Sequence, residues 1–371
     1  MKNKKKITLA VILLLLIVVT ACSQQVNLST LLEPLDDSLK QFWEYIKNPE
    51  EEINGSESAI HSPSVMEIPP TATLPRETLS PPQVPTEHVQ KPLTPTMVDK
   101  PGGTIIYTCQ VDKNPSHDQI CKINPDGSGF EQLTVDMQFQ HFYSSWAPDG
   151  KSFVFSGSQS GEFKLYEMDL KGNMKIIGDI SGELYAPMVS PDGTKIVFTR
   201  HFSESEQYIS VCDRDGSNAR NLSAYYDARD PVWSPDGSKI LFTSLQEGTH
   251  QLYFMNADGT TVQKISELAG LRGRTDWSVN MAIATYAGER DEHNREIVLL
   301  ELGSTPLTLT DGGDNLSPTF SPDGQWIAFM SYRDNFWKAD GCELYIMRQD
   351  GSGVQRLTAN DYCDYQPRWG S

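Results

Sequence analysis

The sequence is short of basic residues, of long apolar runs and of catalytic signatures, and each shortage excludes something. Lysine and arginine total 31 against 49 aspartates and glutamates, for a formal net charge of −18 at pH 7. Nucleic-acid binding relies on Lys and Arg neutralising phosphates, so this balance argues against it. An anionic membrane surface would likewise give no electrostatic attraction. One apolar run stands out, Ile7 to Val19, and it is too short to span a bilayer comfortably. There is no G-x-S-x-G nucleophile elbow, no H-E-x-x-H zinc motif and no close histidine pair such as H-x-x-x-H. No enzyme class is indicated, and no cofactor.

The N-terminus supplies what the charge does not. A lysine cluster, MKNKKK, precedes the apolar run, which ends Val19-Thr20-Ala21-Cys22. That layout is a secretory signal, and its last residues resemble a lipobox. The resemblance makes residues 1–21 a lipoprotein signal peptide and Cys22 the lipidated first residue of an exported, membrane-anchored chain. Each buried CH₂ of an acyl chain contributes about 0.8 kcal/mol, so several chains anchor durably. Residues 22–100 read as a linker. Within 27–47, Leu28, Leu31, Leu32, Leu35, Leu39, Phe42, Trp43 and Ile46 follow helical spacing, interrupted by Pro34. This is either an amphipathic helix on the membrane or a partner, or a transient helix in a stalk. Beyond Pro49 the chain is rich in Pro, Ser, Thr and Glu, a composition that buries no core.

From residue 101 to 371 the chain repeats itself. Trp146-Ala-Pro-Asp-Gly150, Val189-Ser-Pro-Asp-Gly193, Trp233-Ser-Pro-Asp-Gly237 and Phe320-Ser-Pro-Asp-Gly324 share one phrase. Trp277-Ser-Val-Asn is a degenerate copy, and Trp369 begins a sixth. Successive apolar anchors lie 43 or 44 residues apart, except for a last interval of 49. Each phrase is followed by an alternating run, a variable loop, a second run, an Asp-Gly turn and a short closing strand. That is a four-stranded antiparallel meander, strands A to D, with the period of a propeller blade. Thr104–Cys109, Gln119–Gly127 and Glu131–Thr134 supply B, C and D without A; Gln366–Trp369 supplies the missing A. The expected fold is all-β: a six-bladed propeller closed by its C-terminal strand, leaving no exposed sheet edges.

These repeats resemble the WD40-like (PD40) repeat of the TolB propeller family and of dipeptidyl-peptidase-type propellers. TolB itself carries a small α/β domain before its propeller and acts in the Tol–Pal envelope system. Here a leader and Pro-rich stalk stand in that place, so the resemblance covers the propeller.

In a propeller the A–B and C–D turns share one face, and the B–C and D–A connections share the other. The first set is short and stereotyped here; the second varies and is where recognition is expected. The D–A loops end at the channel mouth and bring Tyr226, Asp227, Arg229, Asp230, Arg272, Arg274, Asp276, Asp314, Tyr362 and Asp364 there, with Arg368 just beyond. Tyr, Arg and Asp at a rim suit recognition of a protein, peptide or envelope polymer by a monomer. The alternative is that the Arg–Asp pairs are local ion pairs, or that the carboxylates hold a cation. His117, His201, His250 and His293 fall in B–C loops and His141 in a D–A loop. Around one mouth they could hold a metal, as in propeller-fold pectate-fragment lyases, which makes a metal-dependent polysaccharide lyase or hydrolase accessory the alternative function. Cys212 occupies a core slot in strand C. Cys109 with Cys121 and Cys342 with Cys363 are the expected disulfides, although the sequence forbids no other pairing.

Overall fold

The computed structural model describes residues 100–371 apart from 113, 115–116, 204–205, 223–226, 247, 272, 289–292 and 335–340. The leader, Cys22 and the 27–47 segment lie outside the described residues, as do Tyr226 and Arg272.

Six four-stranded antiparallel sheets form the blades of a propeller. The A strands are Asp364–Gly370 (blade one), His141–Trp146 (two), Glu183–Val189 (three), Arg229–Trp233 (four), Asp276–Trp277 (five) and Asn315–Phe320 (six). Each contacts the A strand of the next blade, so they line the ring's centre. Blade one is composite, as expected. Its A strand comes from the C-terminus and pairs with Thr104–Cys109 in the register Ile105 opposite Trp369 and Cys109 opposite Asp364. The Trp369 indole N–H also donates to the Gly102 carbonyl at 2.9 Å, fastening the last strand to the segment that leads into the first.

The B strands are the least polar because they lie mid-blade, covered by a neighbouring blade on each face. Phe153, Val154 and Phe155 are fully buried, as are Ile196 to Phe198 and Ile240 to Phe242. Directly opposed B–C pairs recur in alternate blades: Phe155 on Tyr166, Phe242 on Tyr253 and Phe329 on Tyr345. Each pair stacks with ring centroids 5.8 Å apart, an arrangement that contributes about 0.5–1.5 kcal/mol beyond burial. Polar ties join blades as well: Arg214 of blade three pairs with Glu167 of blade two.

The repeated phrase builds one turn. In Ser190-Pro-Asp-Gly193 the glycine N–H donates to the Ser190 carbonyl at 2.8 Å. Ser190 Oγ accepts the Lys195 N–H at 2.9 Å, and Asp192 accepts the Thr194 N–H at 3.0 Å. The same bonds recur at Ser234 and Ser321. Blade five keeps the turn without its glycine, with Met281 at φ 67° in the left-handed region.

Both expected disulfides are present. Cys109–Cys121 links strands B and C of blade one, with Cα atoms 5.8 Å apart. Cys342–Cys363 joins blade six to the A strand of blade one, with Cα atoms 4.4 Å apart. Cys212 is free and buried, and burial pushes its thiol pKa up to about 12.

Several positions read as loop are strand. His201 lies in Lys195–Ser203 and His250 in Thr249–Asn256, because their B–C hairpins keep hydrogen bonding almost to the tip. His141 opens strand A of blade two, buried against Gln119 Oε1 at 2.9 Å, and burial lowers its pKa to about 4. Arg229, Asp230, Asp276 and Asp364 also belong to A strands.

Candidate functional site

The A strands end at the mouth in an irregularity that every blade repeats. Three residues before each apolar anchor stands a residue with positive φ: Tyr143 (57°), Ala186 (50°), Asp230 (53°), Arg274 (24°), Ser317 (51°) and Gln366 (56°). A–B register shifts at five of these places mark β-bulges. A bulge re-aims the side chain it carries, and here five of the six line one central cavity of about 360 Å³, Ala186 excepted.

One wall of that cavity is aromatic. Phe142 lies 4.7 Å from Tyr143 and 5.9 Å from Tyr185 between ring centroids, and Tyr286 completes the set. Burial raises the phenol pKa values of Tyr143 and Tyr185, so both hydroxyls stay protonated. The rest of the lining is polar: Thr199, Gln207, Arg229, Asp230, Arg274, Ser317 and Gln366. Gln366 Oε1 is already engaged by Thr108 Oγ1 at 3.0 Å and the Tyr143 N–H at 3.1 Å.

Arg274 is the most unusual of these. It is 6% exposed, and its Nη1 has no hydrogen-bond partner. Burial, with the Arg368 charge nearby, lowers its pKa to about 9 despite Asp230. Its backbone N–H donates to Asp230 Oδ2 at 3.2 Å. Gly273 makes that approach practicable, since a Cβ there would overlap the Asp230 carboxylate.

The other residues read from the sequence divide clearly. Arg229 pairs with Asp227, whose Oδ2 also lies 2.8 Å from His250 Nε2. Burial alone would raise the Asp227 pKa, but Arg229 and His250 outweigh it and hold it low. Asp276 accepts the Thr319 hydroxyl and the Phe320 N–H, both at 2.8 Å, and faces Arg368 at 3.7 Å. Arg368 also donates to the Thr275 carbonyl at 3.0 Å, so this pair ties blades five, six and one together. Asp314 is buried against Arg295 at 2.6 Å, and Asp364 against Asn360 at 2.8 Å. The Tyr362 N–H donates to Asn360 Oδ1 at 2.8 Å. Most of the mouth carboxylates are therefore committed to the scaffold. Among the described residues no three His, Cys, Asp or Glu side chains are placed to hold a metal ion.

Sequence reasoning missed a polar residue within the first three positions of each C strand: Gln119, Lys164, Gln207, Gln251, Glu296 and Glu343. Each reaches across to its own D–A connection. Gln251 Nε2 donates to the Leu268 carbonyl at 2.8 Å, and Lys164 Nζ to the Gly182 carbonyl at 2.9 Å. Glu343 accepts the Thr358 hydroxyl at 2.6 Å and the Asn360 N–H at 2.9 Å. One polar tether per blade thus holds the mouth in shape.

Residues 100–281 and 171–371 match the family of the TolB beta propeller domain. The chain belongs to that family. An uncharacterized protein of Agrobacterium fabrum is 30% identical over 60% of this chain and 60% of its own length. A TolB homolog of Chlorobium chlorochromatii is 31% identical over 50% of this chain but only 32% of its own. The crystal structure of TolB from Acinetobacter baumannii superposes with a TM-score of 0.63 at 22% identity, over 72% of this chain and 66% of that one. The chain thus spans less than two thirds of these relatives, and the structural likeness speaks for the TolB propeller fold alone.

Proposed function

We propose that this TolB-type propeller is tethered to a bacterial membrane through lipid on Cys22 and binds a protein, peptide or envelope polymer through its B–C/D–A face. The observation that carries the reading is the central cavity. Five of the six positive-φ positions on the A strands and the connections leading into them aim polar and aromatic side chains at one cavity, and the C-strand tethers hold the surrounding connections. A preformed hollow of 300–1,000 Å³ with a few convergent polar groups is what a binding site requires. The two disulfides support residence outside the cytoplasm, where such bonds persist. The reading is of a binder, not an enzyme: the mouth carboxylates and histidines serve one another, and no nucleophile–base pair faces the cavity among the described residues.

Crosslinking and capture from intact cells of the source bacterium tests this. Tyr185→Glu at the mouth should abolish capture of the specific partner, while Lys151→Glu, on the opposite face, should leave it intact. Equal capture by both variants and wild type would overturn the reading. Cys22→Ala should move the protein from the membrane to the soluble fraction.

A further inference from the structure

Within the cavity one group is provided for and left unsatisfied. Buried polar atoms are nearly always hydrogen-bonded, and a buried charge without a partner is the costliest exception. Arg274 lines the cavity, and its Nη1 is buried and hydrogen-bonded to nothing. The neighbouring cations are occupied differently. Arg229 is paired with Asp227, and Arg368 is held by Asp276 and the Thr275 carbonyl. Asp230 lies close, but its Oδ2 takes the Arg274 backbone N–H, and no carboxylate among the described residues forms an ion pair with the guanidinium. The guanidinium instead rests 5.0 Å from the centroid of the Tyr143 ring. That contact fixes its direction, while Asp230 and Asp276 act on its charge only through space and without an ion pair.

We infer that the cavity recognises a carboxylate carried on an aromatic or apolar group of a peptide ligand, an acidic side chain or a C-terminus, with Arg274 as its counter-ion. The aromatic wall of Phe142, Tyr143, Tyr185 and Tyr286 suits the body of such a group. One uncommitted guanidinium suits a monoanion; a phosphate dianion calls for a cluster of cations, and the other two here are neutralised. The inference rests on the mouth being the binding face.

The test uses the mature protein in detergent and two probes of equal shape, N-acetyl-phenylalanine and N-acetyl-phenylalanine amide, titrated calorimetrically at fixed ionic strength. The acid should bind at least about 10-fold more tightly than the amide, the scale of a charge-assisted hydrogen bond out of water. Arg274→Met should bring the acid down to the affinity of the amide. It should also melt no lower than wild type, because it removes an unpaired buried charge. Equal binding of acid and amide, no binding of either up to about 20 mM, or tighter binding of inorganic phosphate than of the acid would overturn the inference. The wild-type comparison decides it even if Arg274→Met fails to fold. Loss of acid selectivity with mouth-dependent partner capture intact would refute this inference alone. Selective acid binding with capture indifferent to Tyr185→Glu would refute the functional reading alone.

Discussion

Arg274 and Tyr143 touch, guanidinium over ring at 5.0 Å, although they belong to blades five and two, which face each other across the ring. The bulge at Tyr143 and the left-handed backbone at Arg274 (φ 24°), just before its A strand, turn these side chains towards the same point. The channel is therefore bridged just inside its mouth. Tyr143→Leu keeps most of the apolar bulk but removes the π face. It should lower unfolding free energy by about 0.5–2 kcal/mol, the range of a cation–π contact, whereas Tyr143→Phe should stay within about 0.5 kcal/mol. Denaturant titration of the two variants against wild type measures the difference.

The bulges carry backbone strain, because left-handed φ is unfavourable for any residue with a Cβ. At Ala186 that strain supports no cavity-lining side chain, and at Met281 it occupies a turn slot that glycine fills elsewhere. Ala186→Gly and Met281→Gly should each raise stability by about 1 kcal/mol, after allowing for glycine's greater freedom when unfolded. Thermal unfolding of each variant reads the effect. The same change at Ser317 or Gln366 should also relax the backbone but alter ligand binding, since those side chains line the cavity.

How far the sequence could be read follows from what each feature needs. The blades were legible because Ser-Pro-Asp-Gly suits this turn and recurs: the serine hydroxyl, the aspartate carboxylate and the left-handed glycine each make a specific bond. Ring closure was legible because a B–C–D piece and an A piece can satisfy each other's edges. The disulfides were expected once strands were placed, with other pairings left open until the structure showed both. The positive-φ positions were not legible, because the six slots hold Tyr, Ala, Asp, Arg, Ser and Gln, with no shared residue and no glycine. Only their fixed offset from the anchor could have revealed them. Carboxylates such as Asp276 and Asp314 were read as offered to a ligand because sequence shows charge but not partners; Thr319 and Arg295, which engage them, lie on other strands or connections. The tethers were visible as one polar residue early in each C strand, Gln251 and Glu343 among them, without an indication of what they reach.

The Cys342–Cys363 bridge crosses from blade six to the strand that closes the ring, whereas Cys109–Cys121 stays within one blade. Their sequence separations, 21 and 12, imply similar chain-entropy contributions, each about 3 kcal/mol. Position should separate their effects. Replacing Cys342 and Cys363 with alanine should speed hydrogen exchange along residues 364–370 and the strand they pair with, while replacing Cys109 and Cys121 should affect mainly the B–C end of blade one. Exchange mapped by mass spectrometry distinguishes the two, and equal exchange in strand 364–370 for both variants would contradict a seam role.

Asp364 lies in that same seam, 1% exposed. Burial first, and the nearby Glu343 carboxylate second, raise its pKa from 3.8 to about 7. A carboxyl whose folded pKa is raised binds its proton more tightly when folded. Its contribution is therefore fully present below the unfolded value near pH 4 and is lost as pH rises towards about 7. Stability should fall across that window, opposite to the trend of a salt-bridged acid. Asp364→Asn keeps an acceptor for the Asn360 amide, which bonds the carboxylate at 2.8 Å, but has no proton to lose. Relative to wild type, the variant should gain stability between pH 5 and pH 8, by a margin that levels off above about pH 7. Urea titrations at a series of pH values measure it, and a wild-type-to-variant difference that stays constant over the range would show that Asp364 titrates as an ordinary carboxylate.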